Sequence, residues 1–251
     1  MNKKLNVPSL SVNQLIDTLT LMYESYINND EISKIPSVML FGAPGVGKSD
    51  SVKEIAKRLE IDTKRHVNVV DIRLLLFSPV DLRGIPTFNN DKTKSIWLKP
   101  EIFDLNPSND YINIIFLDEI TAAPPSIQAS AYQITLDKRI GEHKLPDNTI
   151  VICAGNRLTD QSVAYKMPKA LCNRLMHFEV ESTFASWKKW AMDNNINAKV
   201  LSFLTAFPSK LMDFEAESDD YAYPTPRSWE KVSDVLNNVS DDIKKVYPLI
   251  E

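Results

Sequence analysis

The pattern of apolar and polar positions along the chain predicts short buried strands that alternate with helices. Almost unbroken apolar runs, the strand candidates, occur at 37–41, 67–71, 112–117, 149–154 and 176–180. Helical spacing of apolar residues occurs at 11–27, 48–60 and 124–138. Near-continuous apolar strands that alternate with helices are typical of a parallel sheet covered on both faces. We therefore predict an α/β fold with three layers (αβα) and five core strands.

After the last strand candidate, only helical patterns continue. Apolar spacing predicts helices at 184–191 and 200–207, and Thr225 followed by proline is the pattern of an N-cap and a first helical residue. We predict a core at 1–180 and a small helical lid subdomain at 181–251. An acid-rich stretch between these helices, 213–220, is interpreted as a solvated loop.

The most specific chemical signal lies between the first core strand and the helix after it. The run Gly42-Ala43-Pro44-Gly45-Val46-Gly47-Lys48-Ser49 matches the phosphate-binding pattern G-x-x-x-x-G-K-[ST]. Glycines there let backbone N–H groups point at phosphate oxygens, while Lys48 would reach the β- and γ-phosphates and Ser49 would bind Mg²⁺. The chain has only 6 glycines and places 3 of them in this loop. We predict a site for a nucleoside triphosphate with Mg²⁺ at a helix N-terminus.

A pair of acids ends the strand candidate 112–117 and forms the second signal. Asp118 suits a metal-bound water shell, and Glu119 would polarise the attacking water, since phosphoryl transfer needs positioning and charge neutralisation. Acids often end strands at solvent, so the pair alone is a weak signal. Together with the phosphate loop about 70 residues upstream, it predicts hydrolysis.

Three further polar residues have two interpretations each. Asn156, at the end of the next strand, is either a turn residue or a hydrogen-bond donor to the γ-phosphate or water. Arg174 is either a surface cation or a finger offered to a neighbouring subunit's nucleotide. Arg227 lies in the first turn of its helix, where a cation is unfavourable because it opposes the helix dipole. An anion supplied from elsewhere would offset that cost.

The order of these motifs resembles that of AAA+ ATPases. It consists of the phosphate loop, Leu117-Asp118-Glu119-Ile120, Ala154-Gly155-Asn156, Leu171-Cys172-Asn173-Arg174 and Thr225-Pro226-Arg227-Ser228-Trp229. Stretches 78–86 and 118–125 are similar to segments of the MoxR-like branch. The resemblance extends from about residue 10 to residue 240.

This resemblance implies roles that the residues alone leave open. Asn156 looks like sensor 1, Arg174 like an arginine finger that acts in trans, and Arg227 like sensor 2. The active form would be a ring, usually a hexamer, with ATP and Mg²⁺ at the subunit interfaces. The substrate of such a motor would be a separate protein, with a von Willebrand factor A domain protein as the expected class.

Composition excludes some classes of function. A net charge of −4 argues against a general nucleic-acid surface and leaves only a local basic patch open. Cys153 and Cys172 have no metal-site spacing and do not indicate a disulfide scaffold, which favours a reducing cytoplasm. The sequence shows no signal segment and no apolar run long enough to span a bilayer, so we expect a cytoplasmic protein without a membrane part.

Two other functions remain open at this level. One is a nucleic-acid-directed motor, or an NTPase related to the McrB type, and the other is a scaffold that nucleotide binding assembles. The pattern at 84–98 predicts a β-hairpin, and 138–144 resembles the hairpin that precedes sensor 1 in the family. Each is either a solvated surface feature or a loop that engages a substrate.

Overall fold

The computed structural model describes residues 7–157, 165, 167, 172–213, 223–240 and 242–250. The strands are β1 (Ser9–Ser11), β2 (Val38–Phe41), β3 (His66–Arg73), β4 (Ile85–Phe88), β5 (Ser95–Leu98), β6 (Tyr111–Asp118), β7 (Arg139–Ile140), β8 (His143–Lys144), β9 (Thr149–Gly155) and β10 (Met176–Glu181). The helices are α1 (Val12–Asn28), α2 (Lys48–Thr63), α3 (Pro79–Arg83), α4 (Pro125–Asp137), α5 (Phe184–Asp193), α6 (Ala198–Ala206), α7 (Pro226–Asn238) and α8 (Ile243–Ile250). Short 3₁₀ turns occur at Ile32–Lys34, Leu74–Leu76, Glu101–Phe103 and Pro208–Leu211.

Six strands form one parallel sheet in the order β1-β10-β2-β9-β6-β3. The predicted fold class is therefore confirmed, with one strand more than the five that were predicted. The extra strand, β1, has only three residues, and Leu10 is the single apolar one among them. It lacks a hydrophobic pattern of its own and exists because it pairs with the end of β10.

Successive side chains of β6 point to opposite faces of the sheet. Both faces are therefore apolar, and helices cover each of them. Ile114 and Phe116 pack in a cluster with the buried residues of α1 and α2. Ile115 and Leu117 point the other way, into a cluster with α4 that also holds Cys153. Cys153 is fully buried, as expected for a small hydrophobe, and burial raises the pKa of its thiol.

The C-terminal helices have a hydrophobic cluster of their own. Its buried members come from α5 to α8 and the turn between α6 and α7, namely Trp187, Ala191, Val200, Leu204, Leu211, Leu236 and Val246. Thr225 caps α7 as predicted, and its Oγ1 accepts a hydrogen bond from Ser228 N at 3.1 Å. Most of the acid-rich stretch, residues 214–220, lies outside the described residues.

Both predicted hairpins are present and contact each other. β4 pairs antiparallel with β5, and β7 pairs antiparallel with β8. The hairpins are joined by His143, whose Nε2 lies 2.9 Å from Trp97 O. In the first hairpin Trp97 is partly buried, whereas Phe88 is 71% exposed. The β4–β5 hairpin therefore presents apolar side chains to solvent at its tip.

The position of the β4–β5 hairpin depends on Gly84, and replacing it with alanine should destabilise the protein. Gly84 has φ +89°, and an added Cβ would lie 1.8 Å from Leu98 O, so that the backbone would have to move. We expect a loss of at least about 2 kcal/mol from strain and overlap together. Thermal unfolding of Gly84→Ala should show a melting temperature lower by roughly 4 °C or more.

Gly141 provides the matched control for this prediction. It also has a positive φ, +53°, but its added Cβ would lie 3.5 Å from the nearest atom among the described residues, Arg83 O. Gly141→Ala should therefore show only the smaller cost of the left-handed conformation, about 1 kcal/mol. Equal shifts for the two variants would contradict the steric explanation.

Candidate nucleotide site

The phosphate loop leaves the carboxyl end of β2 and runs directly into α2. Gly45 has φ +76° and Gly47 has φ +101°, both in the left-handed region that glycine adopts without strain. Gly47 is the N-cap of α2, so the helix begins at Lys48. The first turn of a helix has backbone N–H groups without intrahelical partners, and here they lie at the loop where an anion would bind.

The Lys48 side chain is buried within this loop. Its Nζ donates hydrogen bonds to Gly42 O at 2.6 Å, to Ala43 O at 3.0 Å and to Asn156 Oδ1 at 3.2 Å. Lys48 is only 8% exposed. The contact with Asn156 brings the loop lysine to the end of β9, which is the strand next to β2 in the sheet. Two predicted site residues that are 108 positions apart therefore meet.

A hydroxyl and a carboxylate meet at the start of α2. Ser49 Oγ donates a hydrogen bond to Asp118 Oδ2 at 3.2 Å. Adjacent ligands of an octahedral Mg²⁺ ion, each about 2.1 Å from the metal, lie about 3 Å apart. The spacing therefore fits Ser49 as a ligand, with Asp118 on the ion or on its bound water.

Few protein groups near Ser49 and Asp118 could bind a metal ion. Among the residues that the structure describes, no group of three or more His, Cys, Asp or Glu side chains is arranged to hold a metal ion. Mg²⁺ commonly takes one or two protein oxygens and completes its shell with substrate phosphates and water. The residues present fit that type of site and do not fit a metal cage built from protein alone.

Glu119 occupies a strained turn directly after β6. Its φ is +60°, which is uncommon for a residue with a side chain and costs of order 1–3 kcal/mol. The turn is held because Asp118 Oδ1 accepts a hydrogen bond from Glu119 N at 2.9 Å, and Glu119 O accepts one from Ala123 N at 3.1 Å. The turn keeps Glu119 beside Asp118 at the tip of the strand.

Thr121 links this turn to Asn156, a contact that the sequence did not reveal. Thr121 Oγ1 donates to Asn156 O at 3.2 Å. Thr121 also packs so closely on Gly155 that a Cβ there would lie 2.6 Å from Thr121 Oγ1. The position of Asn156 is thereby coupled to the turn that carries Glu119.

An ion pair that sequence reasoning also missed lies just beyond Asn156. Arg157 Nη1 is 2.7 Å from Glu179 Oε1, and Glu179 is buried on β10. A buried carboxylate needs a partner of this kind because an uncompensated buried charge is costly. The pair fixes the chain directly after Asn156. In the sequence, the only indication of this ion pair is that Arg157 directly follows Asn156.

Carboxylates accumulate on the side of the site that faces α2. Asp71 lies on β3, two residues before Arg73. In the pairing of β3 with β6, Arg73 is the register partner of Asp118. Burial, and then repulsion from Asp118, raise the pKa of Asp71 above its ordinary value. The sequence analysis did not single out Asp71. A bound cation would relieve this repulsion.

The N-terminus of α7 contacts the phosphate loop. A Cβ on Gly45 would lie 3.0 Å from Thr225 Oγ1. Arg227, in the first turn of α7, is exposed. One turn later, burial and then repulsion from Asp50 raise the pKa of Glu230, while Arg227 lowers it. These interactions place the first turns of α7 and α2 near each other.

Arg174 lies at the opposite end of the sheet. It precedes β10, whose first residue pairs with the first residue of β2, whereas the phosphate loop leaves the last residue of β2. At about 3.3 Å per residue along the strand, Arg174 and the loop are separated by roughly 15–20 Å. The structure therefore brings Lys48, Ser49, Asp118, Glu119 and Asn156 together at the carboxyl edge of the sheet, a group that we call the cleft, and leaves Arg174 outside it.

The parallel sheet and the loop at its carboxyl edge define a fold of the P-loop NTPase class. The chain belongs to the ATPase family associated with various cellular activities (AAA), whose family model matches residues 37–177. The predicted AAA+ membership is thus confirmed at the level of the family.

The solved structures that match with a TM-score above 0.5 agree with this fold. Two variants of RuvB from Thermotoga maritima match with TM-scores of 0.53 and 0.54 at 17% and 18% identity; the matches cover 95% and 97% of this chain and 71% and 73% of theirs. A Cytophaga hutchinsonii protein and C. elegans PCH-2 match with TM-scores of 0.41 and 0.48 at 17% and 15% identity, over 93% and 97% of this chain. This chain spans 66% and 63% of the length of those two proteins. No curated protein matches the sequence.

No helix among the described residues is both long and apolar enough to cross a membrane.

Proposed function

We propose that this protein is an ATP-hydrolysing AAA+ ATPase that works as a ring. The observation that carries the proposal is the single cleft in which Lys48 contacts Asn156 and Ser49 contacts Asp118. A phosphate loop, a metal-bearing acid, a second acid and a polar residue on the adjacent strand are the parts that hydrolysis of a triphosphate requires.

Each residue of the cleft has a distinct role in the proposed reaction. The loop N–H groups and the Lys48 ammonium bind the β- and γ-phosphates, for which Lys48 exchanges its contacts with the loop carbonyls. Glu119 orients the attacking water and accepts its proton. Asn156 donates its amide to the γ-phosphate or the water. Ser49 and Asp118 hold Mg²⁺, which when bound neutralises charge on the phosphate oxygens.

Arg174 is proposed to act on the nucleotide of a neighbouring copy. It lies at the amino ends of the strands, too far from its own phosphate loop to contribute there. A contact between the amino edge of one copy and the carboxyl edge of the next is head-to-tail, and such contacts form a ring when the rotation between copies closes. An arginine finger in other NTPases is worth roughly 10³–10⁵ in kcat. Arg227, on the α7 turn beside the loop, would act in cis as sensor 2.

Within the AAA+ ATPases, we propose that this protein is a MoxR-type motor that remodels a separate protein. The proposed client class is a von Willebrand factor A domain protein. Residues 78–86, which resemble that branch, form α3 and lead into β4. Phe88 and Ile85 on the hairpin are exposed and available for a client.

We propose that residues 181–251 act as the lid over the nucleotide, because Thr225 at the start of α7 touches Gly45.

A mixing experiment tests whether Arg174 acts in trans. Subunits with Arg174→Ala keep a complete cleft, and subunits with Glu119→Gln keep the arginine but cannot activate water. Each variant alone should hydrolyse ATP at least about 100-fold more slowly than the wild type, since each lacks one essential group at every site. A mixture should regain activity, because some clefts then meet an intact arginine from a neighbour.

The readout is steady-state phosphate release as a function of the mixing ratio. The matched control is Arg65→Ala, because Arg65 directly precedes β3 at the amino edge of the sheet and pairs with the exposed Asp30 at 3.0 Å. Subunits with Arg65→Ala should not need complementation by Glu119→Gln subunits. A mixture of the first two variants that stays as inactive as its components would contradict the trans assignment.

A further inference from the structure

A basic recess lies at the amino ends of β2 and β10, next to Arg174. It has a volume of about 540 Å³ and is lined by residues 33–37, the end of α4, Lys138, Lys144, Asp147 and Arg174. We call it the finger recess. The site described above does not include it, because it lies at the other edge of the sheet.

Lys138 forms part of the wall of the finger recess and is bound by backbone carbonyls. Its Nζ donates hydrogen bonds to Ile32 O at 3.3 Å, Ser33 O at 3.1 Å and Thr149 O at 3.1 Å. Its backbone has φ +46° at the C-terminus of α4, and its own carbonyl accepts from Leu145 N at 2.8 Å. One ammonium thus joins α4, the turn before β2 and the start of β9.

This ammonium is kept charged in an environment that disfavours charge. Burial lowers the pKa of Lys138 to about 8, and the nearby Asp147 offsets only part of that effect. The group is therefore still protonated at neutral pH. The three carbonyls give this charge a structural role, and its perturbed pKa also marks it as a candidate functional position.

The other charged groups of the recess mostly have partners. Lys144 Nζ lies 2.7 Å from Asp147 Oδ1, and Lys34 pairs with Glu31. Asp137, at the end of α4, is exposed. Within the described part of the chain, no hydrogen bond or ion pair to Arg174 is found, so its guanidinium is available to a neighbouring copy.

Hydrogen bonds, together with the short backbone segment 33–37, connect Lys138 to the residues around Arg174. Lys138 Nζ binds Ser33 O at one end of the segment 33–37. At the other end, Ser37 Oγ donates a hydrogen bond to Thr135 O at 2.6 Å. Ser37 O accepts from Met176 N at 3.0 Å, two residues after Arg174.

The turn that carries Arg174 is closed by a further contact. His177 Nε2 lies 2.6 Å from Cys172 O, on the other side of Arg174. Movement of the segment held by Lys138 would therefore be transmitted to the backbone next to the arginine.

We propose that Lys138 is a positioning residue for Arg174. Its ammonium fixes the segment before β2, and that segment sets the place and direction from which Arg174 reaches the triphosphate of the next copy. The inference rests on the proposed function, because it assumes that Arg174 acts in trans. It adds a residue that acts through Arg174 and has no contact with the cleft of its own chain.

The test asks on which side of the interface Lys138 is needed. In mixtures of Glu119→Gln and Arg174→Ala subunits, only the former donate an arginine and only the latter hydrolyse ATP. Lys138→Met is introduced into one partner at a time. In the arginine donor it should lower kcat of the mixture roughly 10–100-fold, since small misplacements of a catalytic group cost that much. In the hydrolysing partner it should leave kcat unchanged within about twofold.

Further variants separate positioning from folding. Lys138→Arg in the donor keeps a charged donor and should restore most of the activity. Lys138→Gln, neutral but able to donate, should behave like Lys138→Met. A folding defect would lower kcat with either placement, so equal losses on the two sides would overturn the inference, as would no loss on the donor side. If the parent mixture is itself inactive, the trans role of Arg174 fails first and the role of Lys138 fails with it.

Discussion

Replacing Lys48 by alanine should abolish measurable ATP binding, with an affinity at least about 100-fold lower than that of the wild type. The Lys48 ammonium is buried in the loop and lies between Ala43 O and Asn156 Oδ1, beside the proposed position of the phosphates. Charge-assisted hydrogen bonds contribute about 1.5–3 kcal/mol each, and two of them to the β- and γ-phosphates account for that loss. Titration calorimetry with ATP and Mg²⁺ measures the effect.

Lys53→Ala is the control for this prediction. Lys53 lies on the same helix, close to one turn further on, but its side chain is 70% exposed and pairs with Asp50 at 3.7 Å. Its loss should change ATP affinity by no more than about threefold, because an exposed pair of this kind contributes little. ATP binding by Lys48→Ala at the wild-type affinity would show that the phosphates are held elsewhere.

Glu119→Gln should leave ATP binding intact while lowering kcat by roughly 10²–10⁴. Glutamine matches the size of glutamate and can occupy the same left-handed turn, because the turn is held by hydrogen bonds from residue 119 N to Asp118 Oδ1 and from Ala123 N to residue 119 O. It cannot accept the proton of the attacking water. The substitution therefore removes the chemistry and retains the geometry. Single-turnover hydrolysis and ATP affinity, measured on the same preparation, separate the two effects.

An exposed acid outside the cleft provides the comparison. Glu101 is exposed in the turn Glu101–Phe103, and Glu101→Gln should hydrolyse ATP at the wild-type rate. Unchanged kcat in Glu119→Gln, under conditions where the wild type turns over, would assign water activation to another residue.

The parts of the site that could be predicted from sequence are those set by local pattern. The loop from Gly42 to Ser49 follows from the spacing of glycines and lysine. The meeting of Ser49 with Asp118 follows from the rule that parallel strands end at one edge of the sheet. The same rule places Asn156 there. Hydrophobic runs located the central strands because these are buried on both faces.

The parts that could not be predicted depend on contacts between distant segments. The strand β1 forms only because β10 is available to pair with it. The pairing of Arg157 with Glu179 requires knowledge of which strand lies next to β9. Thr121 is an ordinary residue in sequence, and its role emerges from its hydrogen bond to the carbonyl of Asn156.

Lys138 illustrates the same limit from the other side of the sheet. In sequence it belongs to a short basic hairpin, which favours neither a buried nor an exposed position. Its three carbonyl partners come from the turn before β2 and from β9, more than 100 residues and 11 residues away respectively. Only the packing of α4 against these elements makes its ammonium a partly buried group.

The central claim is that a triphosphate with Mg²⁺ binds between the phosphate loop and the tip of β6. The most direct measurement is an experimental structure with Mg²⁺ and a non-hydrolysable ATP analogue. We predict a phosphate oxygen about 3 Å from Lys48 Nζ and the metal about 2.1 Å from Ser49 Oγ, with Asp118 on the ion or its water. A nucleotide bound away from the Gly42–Ser49 loop, or a metal remote from both Ser49 and Asp118, would contradict the account.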